Sequence, residues 1–213
     1  MNILLAGANG TTARHLVKRL AKAGHHVRGA VRKPEQIQTV NELGGEGVLM
    51  DLTQPETFAQ NLDGIDAVVF AAGSGGEAVE AVDRDGAISL IDASKAANID
   101  RFVMLSSIFA DRPDDGPDSL KPYLHAKHDA DEHLKSAGLN YTIVRPVALT
   151  DDAPTGKIKT DGQINYAEDK IPRADVAHVL EDALYRSETD GKVFEIASGE
   201  ALVDQALREQ LAA

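Results

Sequence analysis

The sequence of 213 residues contains no cysteine. It therefore has no disulfide, no thiolate ligand for a metal and no cysteine nucleophile. Basic residues are also few, since 22 lysines and arginines stand against 34 aspartates and glutamates and give a formal net charge of −12. Nucleic acids and anionic membranes attract proteins with an excess of basic residues, so this charge argues against both as partners.

Long apolar runs are missing as well. No segment approaches the roughly 20 apolar residues that a membrane-spanning helix needs. The apolar run at the start of the sequence is only five residues long, lacks a basic leader and ends in glycine, which is not the pattern of a signal peptide. We therefore expect a cytoplasmic protein. The length and the hydrophobic content of 43% allow one sizeable domain.

The first residues of the chain carry the clearest pattern. Asn2–Ala6 is an apolar run that leads directly into Gly7-Ala8-Asn9-Gly10, and from Thr11 the apolar residues follow helical spacing. A buried strand, a glycine turn and an amphipathic helix form a dinucleotide-binding site in this order. Gly7 permits the tight turn, and Gly10 lets backbone N–H groups approach a pyrophosphate. A glycine turn without a ligand is the competing interpretation, which the flanking strand and helix disfavour.

The rest of the chain alternates strand-like runs with helical patterns. After the first strand we expect strands at 26–32, 47–50, 66–73, 101–105, 141–144 and 193–197. Helices are expected from 11 and at 34–43, 53–64, 77–98, 120–137, 174–186 and 201–211. Residues 108–119 are an expected loop, and residues 147–171 an irregular segment with a small hairpin as an option. This alternation predicts an α/β, Rossmann-type, doubly wound parallel sheet of about seven strands. We expect a single domain over residues 1–213, in which residues 147–172 cap the substrate.

The end of the second strand bears on the choice of cofactor. Val31-Arg32-Lys33 is basic and lacks the carboxylate that usually binds the ribose hydroxyls of NAD. A guanidinium at this place suits a ribose 2′-phosphate, although a solvated strand end is the alternative interpretation. We therefore predict NADP(H) as the cofactor and consider NAD(H) less favoured.

A second group of residues lies in the second half of the chain. Tyr123 and Lys127 are four residues apart, so on a helix their side chains share a face. Ser107 follows the fifth strand, and ligands of such sheets bind at the carboxyl ends of the strands. We expect these three residues to converge beside the nicotinamide. An amphipathic helix with a packed tyrosine and a solvated lysine is the alternative. Ser106 points to the opposite face and is expected to be structural.

In this order the motifs resemble the short-chain dehydrogenase/reductase family, and more closely its atypical NAD(P)H-binding branch, which includes NmrA-like proteins and flavin/biliverdin reductase B. The matching stretches are Gly-Ala-x-Gly, Val-Arg after the second strand, Leu-Ser-Ser at 105–107, Tyr-x-x-x-Lys, residues 141–146 and residues 173–177. The long helix lacks an obvious asparagine for the proton relay of the family.

The resemblance implies roles for the three residues. Tyr123 would donate a proton to a carbonyl oxygen as hydride arrives from the nicotinamide. Lys127 would bind the nicotinamide ribose and lower the pKa of Tyr123 through its charge. Ser107 would hold the substrate oxygen. The backbone around Pro146-Val147 would border the nicotinamide carboxamide.

Other cofactor contacts follow from the fingerprint and the strand ends. Ala13 replaces the third glycine with a residue that is still small, and Asp51-Leu52 either borders the adenine or is an ordinary helix cap. The full set of expected cofactor contacts is Gly7, Asn9, Gly10, Thr11, Thr12, Ala13, Arg32, Asp51, Leu52, Ala71, Ala72, Gly73, Lys127, Pro146 and Val147. The spacing of the histidines and aspartates does not suit a metal site, and we assign none.

Three functions are compatible with these residues. The first is an NADPH-dependent reductase of a small carbonyl, quinone or flavin. The second is a sensor that binds NADP(H) without turnover, and the third is a nucleotide-sugar epimerase or dehydratase. We rank the third last because it needs a larger substrate domain than the fewer than 70 residues after Pro146 provide. Four aspartates against one arginine in residues 108–119 favour an unphosphorylated substrate. We expect a monomer or a homodimer.

Overall fold

The computed structural model describes residues 1–160 and 164–211. The strands are β1 Asn2–Ala6, β2 His26–Val31, β3 Glu46–Leu49, β4 Ala67–Phe70, β5 Arg101–Leu105, β6 Asn140–Pro146, β7 Ala148–Thr150, β8 Lys157–Thr160, β9 Lys170–Pro172, β10 Lys192–Ser198 and β11 Ala201–Leu202. The α-helices are α1 Thr11–Lys22, α2 Ile37–Glu42, α3 Ala59–Leu62, α4 Ala87–Ala96, α5 Lys121–Ser136, α6 Arg173–Ala183 and α7 Val203–Leu211.

The main sheet confirms the predicted Rossmann-type fold. Its nine strands run in the order β3-β2-β1-β4-β5-β6-β10-β8-β11, and every pairing from β3 to β10 is parallel. The chain moves outward from β1 to β3 and then returns to place β4 on the other side of β1. A crevice forms at such a reversal, outside the carboxyl ends of the two central strands. The glycine loop after β1 and the small residues after β4 both lie there.

The core consists of two layers, one on each face of the sheet. Strand residues alternate between the layers, so that Ile3 and Leu5 pack with α1 and α6, whereas Leu4 and Ala6 pack with α4 and α5. Because both faces are covered, most residues of the central strands are buried, and these strands appear in the sequence as apolar runs. On the second face, helix α5 packs against the sheet. No described helix is both long and apolar enough to cross a membrane.

Two predicted helices differ in detail from the structure. The segment predicted as a helix at 53–64 forms a 3-10 turn at Pro55–Thr57 followed by the short α3. The helix predicted at 77–98 begins as a π-helical segment, Val79–Gly86, and becomes α-helical only at α4. The apolar spacing in the sequence identified the buried face, but segments of three and eight residues are too short for that spacing to distinguish these helix types.

The segment after β6 also departs from the expectation. Its described residues hold three short strands, and none of these forms a hairpin with another: β7 pairs with β9 in parallel, and β8 pairs antiparallel with β10. Strand β11 adds to β8 at the sheet edge, where the sequence predicted the start of the last helix. The sheet therefore has nine strands and not about seven. Strands of two to four residues are too short for an alternating pattern to reveal them.

Candidate functional site

The turn after β1 is fitted tightly against the end of β4. Gly7 has a φ of +79°, and a Cβ atom at this position would lie 2.5 Å from the Cα of Ala72. The N–H of Gly10 donates a hydrogen bond of 2.9 Å to the carbonyl of Gly7 and closes the turn. Both the backbone conformation and the available space therefore require glycine at position 7.

The first turn of α1 begins at this loop. It contains no acidic residue, so the positive end of the helix faces the crevice without a neighbouring carboxylate. Arg14 donates hydrogen bonds to the backbone carbonyl of Asn9 at 3.0 Å and to its side-chain oxygen at 2.8 Å. Ala13 is fully buried beneath the loop. These contacts hold the backbone N–H groups in one arrangement, as an anion-binding loop requires.

The crevice contains two cavities. The first has a volume of about 250 Å³ and lies beside the end of β2. The predicted cofactor residues that line it are Gly7, Asn9, Gly10, Arg32, Asp51, Leu52, Ala71, Ala72 and Gly73. The Arg32 side chain is exposed, and no ion pair joins it to another residue in the described chain. Asp51 caps the turn that follows it by accepting hydrogen bonds from the N–H and hydroxyl of Thr53, at 2.9 and 2.8 Å.

The second cavity has a volume of about 570 Å³ and lies beside α5. It shares four lining residues with the first cavity, Gly10, Ala71, Ala72 and Gly73. The predicted residues that it adds are Thr11, Thr12, Tyr123, Lys127 and Pro146. Ala13 and Val147 are buried behind these walls. Ser107 is outside the lining and forms a hydrogen bond with Tyr123. The two cavities are therefore neighbours along the crevice. Arg32 lines the first, and Tyr123 lines the second.

Lys127 is buried under the second cavity and is not a solvated surface residue. Its side chain is about 2% exposed. Its Nζ donates to the carbonyl oxygen of Leu105 at 3.2 Å and lies 3.5 Å from that of Ala72. The same Nζ lies 5.7 Å from the centre of the Tyr123 ring. The alternative of an ordinary amphipathic helix with a solvated lysine is therefore wrong.

The pKa of Tyr123 differs from the expectation. Burial raises the pKa of this phenol above its ordinary value, and the charges of Asp83 and Asp131 add to the effect, while the hydrogen bond with Ser107 opposes it. The sequence resemblance implied a lowered pKa caused by Lys127. Burial also lowers the pKa of Lys127, so the ammonium does not dominate the surroundings of the ring. The phenol consequently remains protonated and is suited to donate a proton.

Behind the site lies a buried polar cluster. The Ser106 hydroxyl donates to Asp131 Oδ2 at 2.8 Å, and Arg145 donates to the same oxygen through Nε at 3.1 Å and Nη2 at 3.0 Å. Ser106 is hydrogen-bonded into this cluster and also lines the second cavity, whereas Ser107 lies outside that lining, so the expectation that Ser106 points away from the site is wrong. The cluster ties α5 to the ends of β5 and β6, which fixes the helix that carries the tyrosine and the lysine.

Sequence reasoning missed one charged residue near the site. Asp83 lies in the π-helical segment and is fully buried. Its Oδ2 accepts hydrogen bonds from the N–H and the hydroxyl of Ser74, at 3.1 and 2.6 Å, and its Oδ1 lies 3.9 Å from the Nζ of Lys127. A signal was present, because Asp83 interrupts the apolar row formed by Val79 and Ala87 at a spacing of four residues.

The four aspartates of residues 108–119, which we expected to face the substrate, do not contribute to the described lining of the second cavity. The loop at 108–119 contributes Ser119, and Arg173 and Lys127 are the charged residues of that lining. Three of the four aspartates of the loop form ion pairs with residues outside this lining, Asp118 with Lys121, Asp111 with Arg112 and Arg145, and Asp114 with His125. These aspartates therefore give no reason to expect an unphosphorylated substrate. Among the described residues, no group of three histidine, aspartate or glutamate side chains could hold a metal.

Comparison with known proteins agrees with this geometry. A family described as NAD(P)H-binding matches residues 7–187. An uncharacterised sugar epimerase, YhfK of Bacillus subtilis, is 36% identical over 98% of this chain and 100% of its own length. The oxidoreductase ylbE of Lactococcus lactis superposes with a TM-score of 0.91 at 33% identity, over 100% and 98% of the two chains. A Bacillus halodurans protein provisionally named an NAD-dependent epimerase/dehydratase gives 0.92 at 37% identity, over 98% and 99%.

Proposed function

The chain belongs to the NAD(P)H-binding family, with the fold of the atypical short-chain dehydrogenases/reductases, and on that basis we propose that it is an NADPH-dependent reductase of a small carbonyl, quinone or flavin. The observation that carries the proposal is the placement of Tyr123 and Lys127. Both line a cavity that adjoins the glycine loop, and the lysine is buried at the ends of β4 and β5. Burying an amine costs free energy of folding. A lysine buried at this place therefore indicates a function at the cavity more than a contribution to stability.

The crevice suits a dinucleotide along its whole length. The loop at Gly7 leaves no room for a side chain, so backbone N–H groups can approach a pyrophosphate directly. We propose that the adenosine lies in the first cavity, between Arg32 and Asp51-Leu52. The nicotinamide would lie in the second cavity, against Ala71–Gly73 and Pro146. When bound, the nicotinamide supplies hydride.

The residues of the chain supply the proton and the orientation. Tyr123, which stays protonated because its pKa is raised, donates its proton to the oxygen of the substrate. Lys127 holds the ribose beside the nicotinamide, and Ser107 contacts the oxygen that receives the proton. Leu149 of β7 lines the cavity from the side of residues 147–172, which we propose to cap the substrate. For a carbonyl substrate, one hydride and one proton convert the C=O group to an alcohol.

The preference for NADP(H) over NAD(H) can be tested at Arg32. Arg32→Ala should lower the affinity for NADPH by about one to two powers of ten, because a charge-assisted contact with the 2′-phosphate is lost. The affinity for NADH should change little. Isothermal titration of both cofactors measures these values. Lys33→Ala is the matched control, since Lys33 is an adjacent exposed cation outside the lining of the first cavity. Equal affinity of the wild-type protein for the two cofactors would contradict the prediction.

Two other functions remain as alternatives. The names of two relatives favour a nucleotide-sugar epimerase or dehydratase. Strands β8 and β11 belong to the main sheet and are therefore not part of a separate substrate domain. Within the described part of residues 147–172, the small β7–β9 pair is what is left to form one, which argues against this function. The second alternative, a sensor, would bind NADP(H) in the same crevice without turnover.

One panel of assays separates the three functions. Wild-type protein is mixed with NADPH and, in turn, with quinones, aldehydes and flavins, and separately with nucleotide sugars in the presence of NAD⁺ or NADP⁺, because an epimerase begins by oxidising its substrate. A reductase consumes NADPH in proportion to one of the first three classes. An epimerase or dehydratase converts a nucleotide sugar with no net consumption of the added NAD⁺ or NADP⁺, and a sensor binds NADPH without changing any compound. We expect the first outcome, and either of the others would contradict the proposed function.

We propose that the protein acts on a small molecule in the cytoplasm. Its net charge of −12 disfavours nucleic acids and anionic membranes as partners. A monomer and a homodimer are both compatible with this role.

A further inference from the structure

Asp83 faces Lys127 from outside the helix that carries the lysine. We propose that Asp83 is a positioning residue, which keeps Lys127 protonated and held at the carbonyls of Ala72 and Leu105. The effect on turnover rests on the proposed function, whereas the contact between the two side chains does not. Asp83 Oδ1 is buried, and no hydrogen-bond donor reaches it within the described chain. Such an atom is costly unless a charge faces it.

The surroundings of the Lys127 ammonium explain why it needs this carboxylate. The described groups around Nζ are backbone carbonyls, the Phe70 ring at 5.2 Å and the Tyr123 ring at 5.7 Å. None of these carries a charge while the phenol is protonated. An isolated ammonium in such a place releases its proton to avoid the cost of desolvation. The ammonium form therefore requires a nearby negative charge.

Two carboxylates can supply that charge, and their situations differ. Asp131 lies on the same helix as Lys127, but its charge is offset by Arg145 of β6 and its Oδ2 is occupied by hydrogen bonds. Among the described residues, no cation other than Lys127 pairs with Asp83, and its neighbour Arg84 forms an ion pair with Asp85 at 2.7 Å. Burial lowers the pKa of Lys127. The charges of Asp83 and Asp131 oppose this change, and the effect of Asp83 on the pKa is the larger of the two. Asp83 is therefore the effective counter-charge.

The other oxygen of Asp83 is hydrogen-bonded to Ser74, a residue of the wall of the first cavity. Oδ2 accepts both hydrogen bonds from Ser74, and the preceding residue, Gly73, lines both cavities. One carboxylate thus connects the buried ammonium to the backbone where the two cavities meet. The π-helical segment allows this placement, because its wider turns shift side chains relative to an α-helix, and such segments are frequent at functional sites.

Asp83 would affect the step in which Tyr123 donates its proton to the substrate. After Tyr123 gives its proton to the substrate oxygen, a phenolate remains beside Lys127. A protonated Lys127 stabilises that phenolate by its charge, and a neutral amine does not. Asp83 acts on this step through Lys127 and without contact to the substrate. Replacing its charge should therefore change the pH range of activity, which a purely structural residue would leave in place.

Asp83→Asn tests the proposal with little change in shape. Removing the carboxylate charge leaves burial to lower the pKa of Lys127 further, so the amine should lose its proton at a lower pH than in wild type. NMR titration of lysine labelled at Cε measures this directly, and Lys127→Arg identifies the signal. The alkaline limb of kcat/KM should move to lower pH. We expect a loss of at least about tenfold at pH about 9 and less than about threefold at pH about 6.

Ser74→Ala is the matched control, because it removes a hydrogen bond to Asp83 and keeps the charge. It should leave the titration of Lys127 at its wild-type pH. Identical titrations of Lys127 in wild type and Asp83→Asn would overturn the proposal. The titration needs no turnover, so a wild-type protein without reductase activity would refute the proposed function and leave this test intact.

A reciprocal variant keeps the proposal testable if Asp83→Asn does not fold. Lys127→Met removes the ammonium and leaves an apolar chain of similar length, so the buried Asp83 carboxylate loses the charge that faces it and the free energy of unfolding should fall. The double variant Asp83→Asn/Lys127→Met buries neither charge alone and should recover part of that loss. A double variant no more stable than Lys127→Met would contradict the pairing of Asp83 with Lys127.

Discussion

Turnover of a carbonyl substrate should fall by roughly two to four powers of ten in Tyr123→Phe, which is the usual contribution of a positioned acid. The variant lacks the proton donor and keeps the ring that lines the second cavity. NADPH affinity should therefore remain close to that of wild type. Single-turnover kinetics and a binding titration on the same preparation measure the two quantities separately. Lys127→Ala, by contrast, should damage both, because the amine is proposed to hold the ribose as well as to stabilise the phenolate.

Tyr166→Phe is the matched control for Tyr123→Phe. The Tyr166 hydroxyl donates to Glu195 at 2.6 Å, and the residue lies outside the lining of the second cavity. Its replacement should leave turnover within about threefold of wild type. The substrate must be an aldehyde or ketone, since NADPH can pass hydride to a stacked flavin without a protein acid. A Tyr123→Phe variant with full activity would show that the site positions hydride without acid catalysis.

Gly7→Ala should have the second largest effect, on both stability and cofactor binding. A positive φ costs a residue with a Cβ about 1–2 kcal/mol. The added atom would also lie 2.5 Å from the Cα of Ala72, and overpacking of this kind costs about 1–3 kcal/mol more. We expect the free energy of unfolding to fall by about 2–5 kcal/mol. NADPH affinity should fall as well, because the loop can relieve the contact only by moving.

Gly24→Ala separates the two contributions. Gly24 has a φ of +84°, and a Cβ atom at this position would have no neighbour within 4 Å. The variant therefore reports the cost of the backbone conformation alone, about 1–2 kcal/mol, with no change in NADPH binding. Denaturant unfolding and a binding titration compare both variants with wild type. If the two variants were equally destabilised and bound NADPH equally well, the close approach of the glycine loop to β4 would be refuted.

Much of the fold could be predicted from the sequence, because the features that specify it are local. The run before Gly7 is buried on both faces, and a glycine turn followed by helical spacing defines the strand-loop-helix unit. Alternation of strands and helices along the chain then predicts a parallel sheet. The same logic brought Tyr123 and Lys127 to one helix face, since a spacing of four residues is geometric.

The features that could not be predicted depend on contacts between distant segments. Asp83 and Lys127 are 44 residues apart and meet because a π-helical segment packs against α5. The direction of the pKa shift of Tyr123 depends on how completely the helix is covered, which periodicity does not show. Charges in the loop at 108–119 were expected to face the substrate. They pair instead with residues nearby, such as Asp114 with His125, at a distance of 3.4 Å.

Direct hydride transfer from NADPH to a substrate in the second cavity can be followed by labelling the hydrogen itself. NADPH carrying deuterium on one face of the nicotinamide C4 is supplied with the best aldehyde or ketone from the panel, and the product is examined by mass spectrometry. We predict one deuterium on the former carbonyl carbon from one of the two labelled forms and none from the other. Bound NADPH with no deuterium in any product, from either form, would contradict the account.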